Sequence, residues 1–249
     1  LARLQDYDYL MKQYFSVHAS TTAERSLMKA ERLLETDVGL TKNPDEPQIL
    51  IYHTHASETY ADYGPQNTDA DVVGAGTYLT ELLRQRGWNV IHDTTAYDRK
   101  EGKLERSRAY TYALEGVQGI LQTHPTIEVV LDLHRDGVAD SVRLTENING
   151  KPTAQIMFFQ GMSRTPEGEI AYLPNPHLQE NLAFCFQMHL ACGRYPGFAR
   201  KIYLKGYRYS LHMMPKSLLI EAGAQTNTVE EMRNAMELLS DVLAKVIVG

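Results

Sequence analysis

Two histidines and a glutamate follow directly after an apolar run near residue 50. The segment Ile49–Glu58 reads Ile-Leu-Ile-Tyr-His-Thr-His-Ala-Ser-Glu and contains the pattern His-x-x-Glu at His55 and Glu58. A buried strand that ends in polar groups presents them at the edge of the sheet, where open α/β sheets keep their binding sites. Imidazole and carboxylate are ligand types of catalytic zinc, so the segment predicts part of a metal site.

Two more apolar runs end in ionisable residues. Val129–Leu133 leads to His134, and Leu218–Ile220 leads to Glu221. A glutamate directly after a hydrophobic strand is costly to bury unless it is paired or used in catalysis. Taken singly, His134 could be structural, and Glu221 could cap a turn or pair with an arginine. Together they predict two histidines and a carboxylate on zinc, with a further carboxylate to accept a proton from water that attacks an amide.

His53 and His55 lie two residues apart and require a choice. We expect His55 to face the metal because it lies farther past the apolar run and begins the His-x-x-Glu pattern. His53 is then expected in the core or behind the ligands. Other hydrolytic schemes fit less well, since there is no Gly-x-Ser-x-Gly elbow. Cys185 and Cys192 fall in an apolar, helical segment that predicts two buried, unbridged thiols.

Composition sets limits on the class of protein. The chain has 249 residues, of which 43% are hydrophobic and 22% charged, which suits a globular domain with an additional arm. The formal net charge of -6 gives no electrostatic reason to expect a nucleic-acid partner. There is no apolar run of about eighteen residues that would predict a membrane span. Because the chain begins with Leu1 rather than Met, we expect a fragment whose leader or anchor has been removed.

Strand and helix patterns alternate from residue 48 onward. The predicted strands are Gln48–Tyr52, Asn89–Asp93, Ile127–Leu133, Gln155–Phe159, Lys201–Leu204 and Ser217–Ile220. The predicted helices are Asp71–Arg86, Glu105–Gln122, His177–Cys192 and Thr228–Val246. Near-continuous apolar strands are typical of strands that are covered on both faces. The chain is therefore predicted to be α/β, with a mostly parallel twisted sheet flanked by helices.

The first 46 residues have a different pattern. Ser20–Glu24 resembles a capping-box start for a helix that continues through Leu34, and Thr41–Pro47 is rich in turn residues. We therefore predict an N-terminal helical arm at residues 1–46 and a catalytic domain at residues 47–249.

Three blocks of the sequence resemble the signature blocks of the stage II sporulation protein P family. They are Ile51–Tyr60, Leu131–Asp136 and Leu218–Gly223, and the first is specific through its His-Thr-His-x-x-Glu pattern. The tripeptide Tyr-Arg-Tyr at 207–209, the pair Asn-Thr at 227–228 and the helix head Glu105–Arg108 fit as well. The resemblance covers Gln48 to the C-terminus.

The resemblance implies a peptidoglycan hydrolase of endospore-forming bacteria, with a fold similar to zinc-dependent N-acetylmuramoyl-L-alanine amidases. The family is credited with amidase activity between N-acetylmuramic acid and the stem peptide, and with endopeptidase activity on cross-links. Its members act in forespore engulfment beside stage II sporulation proteins D and M. They usually carry an N-terminal membrane anchor, which implies a location on the outer face of the cytoplasmic membrane, between mother cell and forespore.

Matching the blocks residue by residue implies His55 and His134 as Zn2+ ligands and Glu221 as the catalytic carboxylate. Classical amidases of this type place a glutamate at the start of the helix after the first strand, where this chain has Asp69 and Asp71. We expect Glu58 to be the third ligand, with Asp69 or Asp71 as alternatives.

Nearby basic and aromatic residues have less defined roles. Arg135 or Arg106 could steady the oxyanion with the zinc. Arg106 and Arg108 could instead hold stem-peptide carboxylates, or form an exposed helix face. Tyr207 and Tyr209 could line a sugar groove or lie in the core.

Two other functions suit the same residues. One is a zinc carboxypeptidase-like or deacylase-like hydrolase of small N-acyl amino acids, and the other is a peptidoglycan-binding module without turnover. An open groove of polymer length would favour a peptidoglycan hydrolase over a small-molecule hydrolase.

Overall fold

The structure is a computed structural model that describes residues 3–248. Leu1, Ala2 and Gly249 lie outside this range, and so does the expectation that was based on the start at Leu1. Seven strands of the described range form the central sheet: β1 (Phe15–Val17), β2 (Ile49–Tyr52), β3 (Val90–His92), β4 (Val129–Asp136), β5 (Ile156–Gly161), β6 (Ile202–Lys205) and β7 (Ser217–Ala224). The helices are α1 (Tyr7–Tyr14), α2 (Ala30–Glu35), α3 (Val72–Gln85), α4 (Ala109–Thr123), α5 (Leu178–Ala191) and α6 (Val229–Val246).

Smaller elements lie between these. Three short hairpins pair Arg99–Lys100 with Lys103–Leu104, Thr145–Ile148 with Lys151–Ala154, and Arg164–Thr165 with Gly168–Glu169. Single 3-10 turns occur at Arg106–Arg108, Cys192–Arg194 and Leu211–Met213.

The sheet has the order β1-β6-β5-β7-β4-β2-β3. Every neighbouring pair is parallel except β5 and β7. The strands β3, β2, β4 and β7 therefore run one way, while β5, β6 and β1 run the other. The predicted α/β fold with a mostly parallel sheet flanked by helices is confirmed.

Helices cover the two faces of the sheet unequally. Alternate residues of the central strands, such as Ile49 and Leu131, join one large buried cluster with α3, α5 and α6. The intervening residues Leu50 and Val130 pack on the other face against Ala113 and neighbouring residues of α4. Because alternate strand residues point to opposite faces, the near-continuous apolar runs fill both layers.

Two strands continue past the residues predicted to end them. β4 extends to Asp136 and β7 to Ala224, so His134 and Glu221 lie within strands rather than just after them. The two residues pair directly across β4 and β7, and this ladder continues the strands beyond their apolar runs. The predicted helix at Glu105–Gln122 is likewise divided into a 3-10 turn and α4.

The predicted helix from Ser20 to Leu34 is wrong over most of its length, since only Ala30–Glu35 is helical. The Ser20 hydroxyl does not cap a helix, because it accepts a hydrogen bond from the backbone of Gly206 and contacts the ring of His18. In addition, β1 extends the central sheet by pairing with β6. Residues 3–46 are thus only partly helical, and the division into arm and domain at residue 46 stays a prediction.

The cysteines are free and buried, as the apolar pattern predicts. Burial raises the pKa of the Cys192 thiol to about 12. No helix within residues 3–248 is long and apolar enough to cross a lipid bilayer.

Candidate active site

Four predicted site residues meet at one edge of the sheet. His134 on β4 and Glu221 on β7 are directly paired, so their side chains share a face. His55 and Glu58 come from the loop after β2. The ring centroids of His55 and His134 lie 5.4 Å apart, and Glu58 Oε2 lies 3.6 Å from His134 Nδ1.

Two buried carboxylates hold the loop that carries His55 and Glu58. Asp132 accepts hydrogen bonds from the backbone and hydroxyl of Thr54 at 2.9 and 2.6 Å. Asp98 accepts from the backbone and hydroxyl of Ser57. Sequence reasoning missed both carboxylates as site residues. Asp132 has a signal, since it is a charged residue inside the apolar run of β4, whereas Asp98 has none.

His134 lies between two carboxylates. Its Nδ1 faces Glu58, and its Nε2 lies 2.7 Å from Asp132 Oδ1, although this contact is not aligned as a hydrogen bond. Burial lowers the pKa of His134, but the charges of Asp132 and Glu58 outweigh burial and raise it above its ordinary value. The pocket around this ring therefore favours positive charge.

Glu58 is ionised in this setting. Burial raises the pKa of its carboxyl, but His134 and the backbone N–H of Arg135, which donates at 3.1 Å, outweigh burial and lower it. Glu58 is thus available as a charged oxygen donor beside an imidazole.

Glu221 differs from Glu58 in its lack of hydrogen bonds. Its Oε2 is buried and accepts no hydrogen bond from the described residues. Burial raises the pKa of Glu221 to about 7; the charge of His134 opposes this shift, and the carboxylates of Glu58 and Asp136 add to it. A carboxyl with a pKa near neutrality can both accept and return a proton.

The donor types fit a zinc ion. His55 Nδ1 is buried without a hydrogen-bond partner among the described residues. Ligand atoms on one tetrahedral zinc lie about 3.4 Å apart, close to the 3.6 Å between Glu58 and His134. As they stand, no three His, Cys, Asp or Glu side chains within residues 3–248 form a ready metal-binding group, so the fit lies in residue types and backbone positions.

His53 turns into the core, as predicted. It is fully buried, with Nδ1 bonded to the Leu133 carbonyl and Nε2 to His92 Nε2, both at 2.8 Å. Burial, together with the charge of His92, lowers its pKa to about 4. A Cβ at Gly76 on α3 would lie only 2.6 Å from the two rings, so a glycine is needed there.

The alternative ligands Asp69 and Asp71 lie elsewhere. Asp71 is the N-cap of α3 and accepts a hydrogen bond from the backbone of Gly74 at 2.7 Å. Asp69 forms an exposed ion pair with Arg233 at 2.6 Å. Neither is brought to the histidines.

The basic residues have separate positions. Arg135 donates to the carbonyls of Thr59 and Asp136 at 2.9 and 3.1 Å, which braces the loop. Arg106 is exposed in the 3-10 turn before α4. Burial and the charge of His134 lower the pKa of His55, and Arg106 adds to this from nearby. Arg108 is exposed beside Glu105 and Tyr112.

Aromatic residues border the site on the α4 side. Tyr110, which sequence reasoning missed, lies edge-on to His55 at 5.6 Å and to Tyr209 at 5.4 Å between centroids. Tyr209 is partly buried and also packs on Phe159, whereas Tyr207 is 60% exposed.

Comparison with known proteins adds family and fold. The family described as Stage II sporulation protein P (SpoIIP) matches residues 8–244. Stage II sporulation protein P of Bacillus subtilis (strain 168) is 25% identical over an alignment of 217 residues, which covers 81% of this chain and 51% of the relative. The chain therefore spans about half the length of this curated relative.

A solved amidase shares the architecture. The CwlD amidase from Clostridioides difficile, solved in complex with the GerS lipoprotein, aligns with a TM-score of 0.50 and 15% identity over 80% of this chain and 98% of that one. An N-acetylmuramoyl-L-alanine amidase from Clostridium difficile 630 aligns with a TM-score of 0.45 and 12% identity, over 81% and 94% of the two chains. The likeness to CwlD supports the fold alone.

Proposed function

Since this chain belongs to the stage II sporulation protein P family, we propose that it is a zinc-dependent peptidoglycan hydrolase that acts in sporulation. The activity proposed is that of an N-acetylmuramoyl-L-alanine amidase, with endopeptidase activity on cross-links at the same site. The observation that carries the proposal is Glu221, a partly buried residue whose Oε2 is buried without a hydrogen-bond partner among the described residues, directly beside His134. Such a group destabilises the fold, so a chemical role is the best explanation for its presence.

His55, Glu58 and His134 would hold the zinc. When bound there, zinc supplies a Lewis acid that polarises the amide carbonyl and makes an attacking water more acidic. Asp132 lies against Nε2 of the His134 ring and holds the loop of His55 and Glu58 through Thr54.

Glu221 accepts the proton of the water that attacks the amide carbon. The C–N bond then breaks, and Glu221 returns this proton to the leaving nitrogen. The pKa of about 7 suits both steps, because neither protonation state is strongly favoured near neutral pH. Arg106, whose positive charge helps to lower the pKa of His55, is proposed to stabilise the developing oxyanion. Arg135 instead braces the loop through its hydrogen bond to the Thr59 carbonyl.

The surroundings favour a polymer over a small N-acyl amino acid. The site lies between two surface clefts rather than inside a closed pocket: one is lined by Tyr110 and Tyr209, the other by Met157 and Arg200.

From family membership we also propose a membrane anchor outside this sequence, location between mother cell and forespore, and action beside stage II sporulation proteins D and M.

The test is mass spectrometry of soluble products after zinc-loaded protein is incubated with purified peptidoglycan. Free stem peptides and peptide-stripped glycans are the expected products, and His55→Ala should yield neither. Separated cross-linked peptides would add the endopeptidase activity. Intact peptidoglycan with the wild-type protein, also in the presence of stage II sporulation protein D, would contradict the hydrolase and leave a binding module.

A further inference from the structure

One face of the sheet carries a row of side chains that leads away from the active site. Register across β2, β4, β7, β5, β6 and β1 aligns Tyr52, Asp132, Leu219, Phe159, Tyr203 and Ser16. Tyr52 is buried in the cluster under α4, whereas Tyr203 is half-buried and Ser16 exposed. The sheet face is therefore covered at one end of the row and open at the other.

A second row passes through the site itself. His134, Glu221 and Met157 pair in turn across β4, β7 and β5, so the three side chains share the same face. Met157 then forms the floor of an open cleft of about 430 Å³. The cleft is lined by Ser16, Asp136, Met157, Arg200, Lys201 and Tyr203. It begins next to Glu221 and extends over the open part of the sheet.

This cleft is locally basic in a protein whose net charge is -6. Arg200 and Lys201 line the cleft together with one carboxylate, Asp136, which pairs with Arg200 Nη2 at 2.8 Å, while Lys201 Nζ donates to the Lys12 carbonyl at 2.6 Å. The Nε of Arg200 is buried and has no acceptor among the described residues. Two cations and one carboxylate leave the cleft with a positive charge, and the guanidinium of Arg200, whose side chain is 24% exposed, can bind a carboxylate.

The opposite side of the site has different chemistry. There Tyr110, Tyr209 and Tyr207 form an aromatic border with two edge-on contacts that start at His55. Aromatic faces suit the apolar faces of sugar rings, whereas a basic cleft suits carboxylates. The amide proposed for cleavage joins two such different parts, a sugar on one side and an acidic peptide on the other.

We propose that the cleft of Arg200 and Lys201 binds a carboxylate of the stem peptide and so sets the direction in which the substrate lies. This rests on the proposed function. The peptide then extends from Glu221 over β5 and β6, and the glycan lies against the tyrosines. Glu221 lies on β7, and Arg200 lies just before β6. Because β5 lies between these two strands, their axes are about 10 Å apart. Two to three extended residues span about 7–10 Å, so a carboxylate near the start of the peptide reaches the cleft.

The test uses two muropeptides that differ in one group, the glutamyl carboxyl of the stem, which is free in one and a carboxamide in the other. Calorimetry measures their binding to the Glu221→Gln protein, in which hydrolysis is blocked. The free acid should bind at least about 10-fold more tightly than the amide, since hydrogen bonds between a guanidinium and a carboxylate are stronger than those to a neutral amide. Adding Arg200→Gln should remove this difference and leave affinity for the amidated muropeptide unchanged.

Arg233→Gln is the matched control, because it removes an arginine from an exposed ion pair with Asp69 away from the site. It should leave the preference for the free acid intact. The proposal is wrong if Arg200→Gln retains that preference, or if Arg106→Gln removes it instead. Because binding is measured without turnover, loss of the preference in Arg200→Gln would support the cleft even if the wild-type protein proved not to hydrolyse peptidoglycan.

Discussion

Glu231 is buried and Glu221 has one buried carboxylate oxygen, but the two glutamates are in opposite situations. Glu231, in the first turn of α6, accepts hydrogen bonds at 2.9 Å from the backbone of Thr228 and from the side chain of Asn227. It also accepts from Thr145 and Arg143. Burial raises its pKa, but these hydrogen bonds outweigh burial and lower it. Glu221 lacks such donors, and its pKa is raised to about 7.

We interpret this difference as the one between a structural carboxylate and a carboxylate with the proposed catalytic role. The network of Glu231 ties α6 to the chain before the Thr145–Ile148 strand, and both carboxylate oxygens have partners. Buried polar groups normally have such partners, so the lone Oε2 of Glu221 requires another explanation. The proposed proton transfer supplies one, and the following changes test the comparison.

Glu221→Gln should have the largest effect on activity and a small one on folding. General acid–base catalysis contributes about 10²–10⁴-fold, so hydrolysis of peptidoglycan should fall by that amount. Zinc content should be unchanged. The free energy of unfolding should stay the same or rise, since the variant removes an ionisable group from a buried site without partners.

Kinetics on solubilised muropeptides and urea unfolding of the same preparations measure both effects. Glu230→Gln, at an exposed position on α6, is the control. Substantial turnover by Glu221→Gln would exclude Glu221 as the base. A marked fall in the free energy of unfolding would indicate that Glu221 has a structural role, as Glu231 does.

Glu58→Ala should weaken zinc binding by more than about 100-fold, the upper range seen when only a group that orients a ligand is removed. Competition with a chromogenic chelator measures the affinity. Asp71→Ala should retain zinc, because Asp71 caps α3 rather than facing the histidines. The opposite pattern would transfer the third ligand to the start of α3.

Much of the sheet follows from the sequence because burial fixes it. The apolar runs of β2, β4 and β7 predict that these strands are covered on both faces. The polar residues that follow the runs predict that His55, His134 and Glu221 meet. The metal-ligand roles stay predictions, but the proximity of these residues is a consequence of parallel strands that end at one edge.

Long-range contacts account for what the sequence does not predict. Asp98 meets Ser57 across 41 positions, and no local pattern encodes that hydrogen bond. Ser20 has the type and spacing of a helix cap, but its hydroxyl is taken by Gly206, 186 positions away. Tertiary contacts override a local propensity worth about 1 kcal/mol.

Asn227→Ala should destabilise the protein without a direct effect on catalysis. Its Oδ1 accepts from the backbone of Ala224 at 2.8 Å, and its Nδ2 donates to Glu231 and the Leu144 carbonyl. Truncation leaves buried groups without partners, which costs about 1–3 kcal/mol for a neutral group and more where a charge is involved. Urea unfolding measures the loss, and kcat per folded molecule should be unchanged. Asn67→Ala, with one 3.3 Å hydrogen bond at the surface, is the control.

Glu231→Gln should destabilise the protein, because the side-chain amide would face donors that now bind a carboxylate oxygen, and the size of this effect should depend on pH. The folded-state pKa of Glu231 lies below its ordinary value, which is about 4.3 in an unfolded chain. The ionised form therefore stabilises the folded state above about pH 4.3, and this contribution is lost as the pH falls through the lower folded-state pKa. The difference in unfolding free energy between wild type and variant should be largest near neutral pH and shrink on acidification. A difference that stayed constant down to acid pH would mean that the hydrogen bonds of Glu231 do not depend on its charge, and the contrast with Glu221 would then be one of packing alone.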